Sequence, residues 1–254
     1  MTQRALQTGS RGPETGSHPQ SAGPFRCRIL ETMTTTAPQG PEFYALGRLL
    51  NHDERSRNFP APRATRRKPL THRIMGAVLD QGTLGSCTGN AAAAALNSVK
   101  LHKKGTHLFA EPDAVQFYSV GTKLDPFDGT YPPEDTGSSG LAVAQGLKAA
   151  GLISSYTHAF GLDHLLDALQ LAPVMIGIPW HQSMFYPDSK GFVTPDGNVV
   201  GGHEVCVRGD DNKTSVLVRN SWSRQWGLNG DFRMTYATLA TLLADDGDAT
   251  VLVR

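Results

Sequence analysis

Three residues of this sequence have the types and the order that thiol-based acyl transfer requires. Cys87 precedes the alanine-rich run 88–99, His203 follows two glycines, and Asn220 comes seventeen residues after the histidine. A cysteine attacks carbonyl carbons as a thiolate, which a helix N-terminus and a neighbouring imidazolium both stabilise. A histidine accepts the thiol proton when an amide oxygen holds its other ring nitrogen. We therefore predict Cys87 as the nucleophile, His203 as the base and Asn220 as the residue that orients the base.

A fourth residue, Gln81, lies six positions before Cys87 in a glycine-containing loop. A loop of that length can fold back so that the Gln81 carboxamide and the Cys87 backbone N–H point at one spot. Such a pair of donors would hold the oxyanion that forms when a thiolate attacks a carbonyl. A cysteine before a helix is, by itself, most often a small buried residue. The presence of Gln81, His203 and Asn220 favours the catalytic interpretation.

The elements that must position these residues follow from local patterns. The run after Cys87 is rich in alanine and lacks proline, which predicts a helix that begins at or just after Cys87. The turn-forming residues 209–213 join two strands in a hairpin, and this hairpin would return Asn220 to the side of His203. The other predicted elements are helices over 140–150 and 162–171 and strands over 174–178, 205–207, 215–218 and 232–234. Because the predicted helices gather in the first half of the chain and the strands in the second half, we expect an α+β fold.

The sequence around these residues resembles the papain-like (C1-type) cysteine peptidases. The matching segments are 80–87, Gly202-His203 and the string Arg-Asn-Ser-Trp-Ser-Arg-Gln-Trp-Gly-Leu-Asn-Gly-Asp-Phe over 219–232, and the resemblance covers about residues 74–240. It implies a two-lobed fold with a helical lobe over about 80–160, a β-barrel-like lobe over about 161–254, and the active site in the cleft between them. It further implies a peptide or protein substrate, hydrolysis through a thioester, and no cofactor or metal.

Two positions depart from the family pattern. Leu84 stands where the family has a disulfide-forming cysteine, and Thr88 stands where it has an aromatic residue. The proline-rich stretch before Ile74 does not have the periodicity of the helical prosegment that secreted members carry. The chain thus resembles a bacterial or viral-like branch that lacks the usual disulfides and prosegment.

The resemblance also suggests where substrate binds. The loop of Gly137, Ser138, Ser139 and Gly140 resembles the loop that binds substrate backbone, although a plain turn before a helix explains it equally well. Gly202 and Trp222 border the same cleft, and Trp222 and Trp226 would shield the His–Asn pair from water.

Glu204, directly after the base, has two interpretations. By resemblance it borders the pocket for the side chain two residues before the scissile bond, where a buried carboxylate would favour a basic side chain. Alternatively it pairs with Arg208, four residues along the same strand, and this second interpretation is the one that we favour.

The N-terminal part has a different composition. Residues 1–40 are dominated by Gly, Ser, Thr, Pro and Gln, which predicts a disordered tail, and Met33 is a plausible alternative start. Residues 41–73 form a proline-rich basic arm, followed by the peptidase domain over 74–254. The arginine cluster of the arm could bind nucleic acid, but a solvated arm along the domain surface is the favoured interpretation.

The composition limits the partners and the compartment. The net charge is +1, and no apolar run approaches a membrane span, so neither nucleic acid nor membrane is expected as a partner. Three cysteines and a polar N-terminus predict a cytoplasmic protein with free thiols. The sequence leaves the oligomeric state open. Two other functions also remain open: an amide or isopeptide hydrolase or transferase on the same fold, and an inactive peptide-binding relative.

Overall fold

A computed structural model of the chain describes residues 44–254. The predicted disordered tail, Cys27 and the alternative start at Met33 lie outside the described residues.

Five α-helices lie in the described part of the chain: α1 (Cys87–Leu96), α2 (Glu111–Gly121), α3 (Gly140–Ala149), α4 (Gly161–Leu169) and α5 (Tyr236–Ala244). The helix predicted at Cys87 is confirmed, and it begins at that residue. All ten residues of α1 are buried, so its alanines serve close packing on every side. A Cβ on Gly89 would collide with the carbonyl of Ala114 in α2, so this glycine allows the two helices to approach closely. Helices α1, α2 and α3 pack against one another.

The strands form one antiparallel sheet: β1 (Leu70–Thr71), β2 (Ser155–His158), β3 (Val174–His181), β4 (Val199–Asp210), β5 (Ser215–Arg219), β6 (Asp231–Thr235) and β7 (Asp248–Val253). The strand order is β2-β7-β3-β4-β5-β6, and β1 pairs with the end of β4. The first seven residues of β3 are buried, as expected for an apolar central strand covered on both faces. The α+β fold class is therefore confirmed.

The predicted hairpin is formed by β4 and β5, whose register pairs Cys206 with Arg219. It places Asn220, the residue after β5, close to His203 on β4. Helix α1 packs against β4, so the start of α1 and the middle of β4 meet in the interior.

Residues before Ile74 contribute to the interior as well. Tyr44, Arg48 and Ala61 are buried, although the sequence pattern assigns this stretch to a solvated arm. Part of its charge is paired, because Arg63 and Arg67 both contact Asp167 on α4. None of the helices in the described part is long and apolar enough to cross a membrane.

Candidate active site

Cys87 occupies the first position of α1 and has no exposed surface. Burial raises the pKa of its thiol to about 12, although the backbone N–H groups of Glu204, Gly47 and Thr88 lie close enough to lower it in part. The contact with Glu204 is informative because Glu204 directly follows His203 in β4. The structure therefore brings the thiol next to the backbone of the predicted base.

His203 is held by a hydrogen bond to Asn220. Its Nε2 lies 2.8 Å from Oδ1 of Asn220, and that oxygen also accepts a hydrogen bond from the backbone N–H of Ser221. Because an amide oxygen only accepts, Nε2 carries the ring proton and Nδ1 has the lone pair. Nδ1 is buried and has no hydrogen-bond partner among the described residues. Burial lowers the pKa of His203 to about 4, and the contact with Asn220 opposes this shift.

Aromatic rings enclose the imidazole. Trp222 stacks on His203 with ring centroids 4.5 Å apart, and Trp180 meets it edge-on at 4.9 Å. Tyr44 and Phe185 in turn stack on Trp222. Trp222 thus covers the His–Asn pair as expected, whereas Trp226 contacts Trp222.

Gln81 lies in the loop before α1 and makes three hydrogen bonds through its side chain. Its Oε1 accepts from Ser221 Oγ at 2.6 Å, while its Nε2 donates to the carbonyls of Leu84 at 2.9 Å and Ala45 at 3.2 Å. The bond to Ser221 ties the loop to the residue beside Asn220. The amide donor that the sequence assigns to an oxyanion is therefore directed at a carbonyl of the chain itself.

The carbonyl of Ala45, one of the two that Gln81 contacts, belongs to residues 44–49, which we call the cleft segment. Its backbone is hydrogen-bonded on two sides: Arg48 N donates to Gly202 O at 3.0 Å, and Leu49 N donates to Ser138 O at 2.7 Å. Ser138 N returns a hydrogen bond to Gly47 O at 2.8 Å. The cleft segment therefore lies as an extended chain between Gly202 and the loop at Ser138.

The loop at 137–140 contacts the chain's own backbone and begins a helix. It binds a backbone segment through Ser138, and it starts a helix, because Ser139 Oγ caps α3 by accepting from Ala142 N. Gly137 has a φ of +76°, and Gly140 is the first residue of α3.

Glu204 does not pair with Arg208, so the favoured interpretation is wrong. Arg208 instead binds Asp231 on β6, with Nη2 at 2.6 Å from Oδ2. Glu204 has no exposed surface, and neither of its carboxylate oxygens has a hydrogen-bond partner among the described residues. Burial, followed by the nearby Asp248, raises the pKa of Glu204 well above its usual value, and Arg48 opposes this shift.

Two residues at this site were missed in the sequence. Arg48 binds Asp248 Oδ2 and the carbonyl of Asp246, each at 2.6 Å. Asp248 begins β7, two hundred residues further along the chain. One signal was available for Arg48: the short apolar stretch Tyr44-Ala45-Leu46 before it differs from the rest of the basic arm. No local pattern distinguishes Asp248.

Metal ligation has no support in residues 44–254, where no cluster of three His, Cys, Asp or Glu could hold an ion. Cys206 on β4 is a buried free cysteine.

The chain was compared with known proteins. It is 28% identical over 208 residues to an uncharacterized peptidase C1-like protein of Acanthamoeba polyphaga mimivirus. The alignment covers 64% of this chain, and it spans 65% of the relative's length. The scan against protein-family models found no match.

Solved structures were compared in the same way. Xylellain, a cysteine protease from Xylella fastidiosa, matches with a TM-score of 0.67 at 21% identity, covering 86% of this chain and 99% of that one. Digestive procathepsin L 3 of Tenebrio molitor matches with a TM-score of 0.59 at 16% identity, covering 83% and 76%. A recombinant stem bromelain precursor matches with a TM-score of 0.55 at 19% identity, covering 84% and 78%. The chain therefore has the papain-like fold.

Proposed function

We propose that the protein is a cysteine-type peptidase that hydrolyses peptide bonds with Cys87, His203 and Asn220. The observation that carries the proposal is the hydrogen bond of His203 Nε2 to Asn220, which leaves the buried Nδ1 without a hydrogen-bond partner among the described residues. A buried nitrogen lone pair without a hydrogen-bond donor lowers the stability of the fold, so its presence calls for a functional explanation. Accepting the proton of the Cys87 thiol is such a function. The papain-like fold and the peptidase C1-like relative support the same reaction class.

The reaction proceeds in two halves. His203 Nδ1 takes the thiol proton, and the thiolate attacks the carbonyl carbon of the peptide bond. As the tetrahedral intermediate collapses, the imidazolium gives its proton to the amine, which leaves with the C–N electron pair, and a thioester remains on Cys87. His203 then removes a proton from water, the hydroxide attacks the thioester, and the thiol is restored with release of the acid. Asn220 keeps the imidazole oriented through both halves.

The oxyanion would be held by Gln81 Nε2 and the backbone N–H of Cys87. Gln81 supports this role because its Oε1 is fixed by Ser221, which leaves Nε2 directed at an oxygen of the cleft segment. A substrate carbonyl that replaces Ala45 would meet the same donor. Two donors of this kind stabilise a tetrahedral intermediate because they are in place before the charge develops.

A peptide-library cleavage assay read by mass spectrometry tests the proposal. The full chain and an Arg48→Ala chain are assayed side by side, since Arg48 belongs to the segment whose Ala45 carbonyl accepts the hydrogen bond of Gln81 Nε2. We expect Cys87→Ala to abolish cleavage in both backgrounds. Cys206→Ala is the matched control, because Cys206 is also a buried free thiol but is not one of the three residues proposed to carry the reaction. Equal loss in both cysteine variants, or undiminished cleavage by Cys87→Ala, would contradict the proposal.

A further inference from the structure

Asp135 links the loop before Cys87 to helix α2. Its Oδ2 accepts a hydrogen bond from the backbone N–H of Gly85 at 2.9 Å, and its Oδ1 lies 3.2 Å from the same nitrogen. Oδ1 also accepts from the hydroxyl of Tyr118 on α2 at 2.6 Å. Gly85 permits this approach, because a Cβ there would lie only 2.8 Å from Asp135 Oδ1. One carboxylate thus joins a residue two positions before Cys87 to a neighbouring helix.

Tyr118 anchors this carboxylate. Its side chain has no exposed surface, and its hydroxyl accepts from the backbone N–H of Gly137 at 2.9 Å while it donates to Asp135. Burial, followed by the hydrogen bond to Asp135, raises the pKa of Tyr118 above its usual value. The hydroxyl therefore keeps its proton at neutral pH and remains a donor. Asp135 itself is exposed, so its removal leaves no cavity in the core.

The two proposed oxyanion donors flank a compact turn. Gln81 Nε2 donates to the carbonyl of Leu84 at 2.9 Å, and Leu84 N donates back to the carbonyl of Gln81 at 3.1 Å. The Leu84 carbonyl also accepts from the backbone N–H of Ser86, the residue before Cys87, at 2.8 Å. Because the turn is closed on itself, a displacement of Gly85 would move both donors.

A disulfide cannot hold this turn through position 84, where the chain has a leucine. The neighbouring residue, Gly85, is held by the hydrogen bonds of Asp135 instead. We infer that Asp135 is a positioning residue of the proposed peptidase, which fixes Gly85 and thereby keeps the Cys87 N–H and the Gln81 amide where the oxyanion forms. This inference rests on the proposed function. Asp135 acts through the turn, so its removal should weaken binding of the tetrahedral intermediate more than binding of the substrate.

The first test compares two inhibitors that share one peptide sequence, taken from a peptide that the library assay shows to be cleaved. The aldehyde adds the Cys87 thiol to its carbonyl and places the resulting oxygen at the oxyanion donors, whereas the corresponding alcohol binds without this step. In Asp135→Ala we expect the inhibition constant of the aldehyde to rise about tenfold and that of the alcohol to change less than about twofold. An inhibition constant does not depend on the amount of folded enzyme, so a loss of stability alone would change neither. Both constants are measured in the full chain and in the Arg48→Ala chain.

Two further variants separate the position of the turn from the charge of Asp135. Asp135→Asn keeps an oxygen at Oδ1, which lies within reach of both donors, so we expect it to recover most of the aldehyde affinity. Tyr118→Phe should weaken the aldehyde as well, and combining it with Asp135→Ala should add little, because both changes break the same link. Equal losses in Asp135→Asn and Asp135→Ala would show that charge, not position, is responsible.

Asp188→Ala is the matched control. Asp188 is likewise an exposed aspartate, and its carboxylate holds a different loop by accepting from the backbone N–H groups of Lys190 and Phe192, each at 2.8 Å. An equal rise of the aldehyde constant in Asp188→Ala would overturn the inference. So would an equal weakening of the aldehyde and the alcohol by Asp135→Ala.

The second test does not depend on catalysis. Hydrogen exchange of the Gly85 and Cys87 amides is followed by NMR, and we expect exchange at Gly85 to be about tenfold or more faster in Asp135→Ala than in the native chain. Unchanged exchange at both amides would refute the positioning role even if the library peptides are cleaved. Faster exchange in a protein that cleaves no peptide keeps the link between Asp135 and the turn and refutes the peptidase.

Discussion

Trp222 lies flat on His203, with the two ring planes inclined by 20°. This stacking, together with Trp180 at the edge of the imidazole, removes the ring from water and accounts for its lowered pKa.

Truncating Trp222 should therefore change the titration of His203. In Trp222→Ala, water reaches the imidazole, and we expect the pKa of His203 to rise from about 4 toward its ordinary value of 6.5. The measurement is NMR titration of the ring protons. Loss of the indole should also reduce stability by about 3–5 kcal/mol. Trp226→Ala is the control, because Trp226 contacts Trp222 at its edge; an equal pKa rise there would contradict direct shielding by Trp222.

Removing the orienting amide should affect catalysis more than folding. Asn220→Ala leaves Nε2 without its acceptor, and loss of a hydrogen bond worth about 1.4 kcal/mol predicts about a tenfold lower kcat/KM. The kinetics are measured in the Arg48→Ala background with a peptide that the library assay shows to be cleaved. Asn97→Ala is a matched control, because Asn97 is a buried amide that binds the backbone of Phe109 far from His203. If the two variants lose the same activity at equal stability, Asn220 does not orient the base.

Stability should respond to pH through Glu204. Its pKa in the folded protein lies above the unfolded value of 4.5, so the folded state binds more protons, and its stability falls as the pH rises above that value. Glu204→Gln removes this loss. We expect Tm of the variant minus Tm of the native chain to increase between about pH 4 and pH 7. A difference that stays flat or decreases would show that Arg48 compensates the Glu204 charge completely.

The ion pairs of Asp231 should stabilise the fold and take no part in catalysis. Asp231 accepts from both Arg208 and Arg219, and all three side chains are largely buried. Asp231→Asn leaves two buried guanidinium groups short of charge, so we expect a loss of about 3–5 kcal/mol in the free energy of unfolding. Denaturant titration measures this loss. The rate of peptide cleavage by the folded variant should stay unchanged. A changed rate would mean that the ion pairs of Asp231 also affect the active site.

Much of the site could be predicted from the sequence because its signals are local. An alanine run after Cys87 and a turn between two apolar strands are enough to place α1 and the β4–β5 hairpin. The pairing of His203 with Asn220 follows from that hairpin.

The pairing of Glu204 with Arg208 failed for a geometric reason. Residues four apart on a strand share a face but lie about 13 Å from each other, at about 3.3 Å per residue. Arg208 instead reaches across the sheet to Asp231, whose position depends on β6.

The contact between Arg48 and Asp248 could not be predicted from the sequence because it joins opposite ends of the described chain. Only the folded sheet brings β7 next to β3 and so places Asp248 over Gly177.

Glu204 rests between two glycines, because a Cβ on either Gly140 or Gly177 would run into its carboxylate. The Glu204 carboxylate is thus bordered on two sides by main chain that carries no side chain. A single methyl group at either position would have to displace this carboxylate, although no atom of Cys87, His203 or Asn220 would be altered.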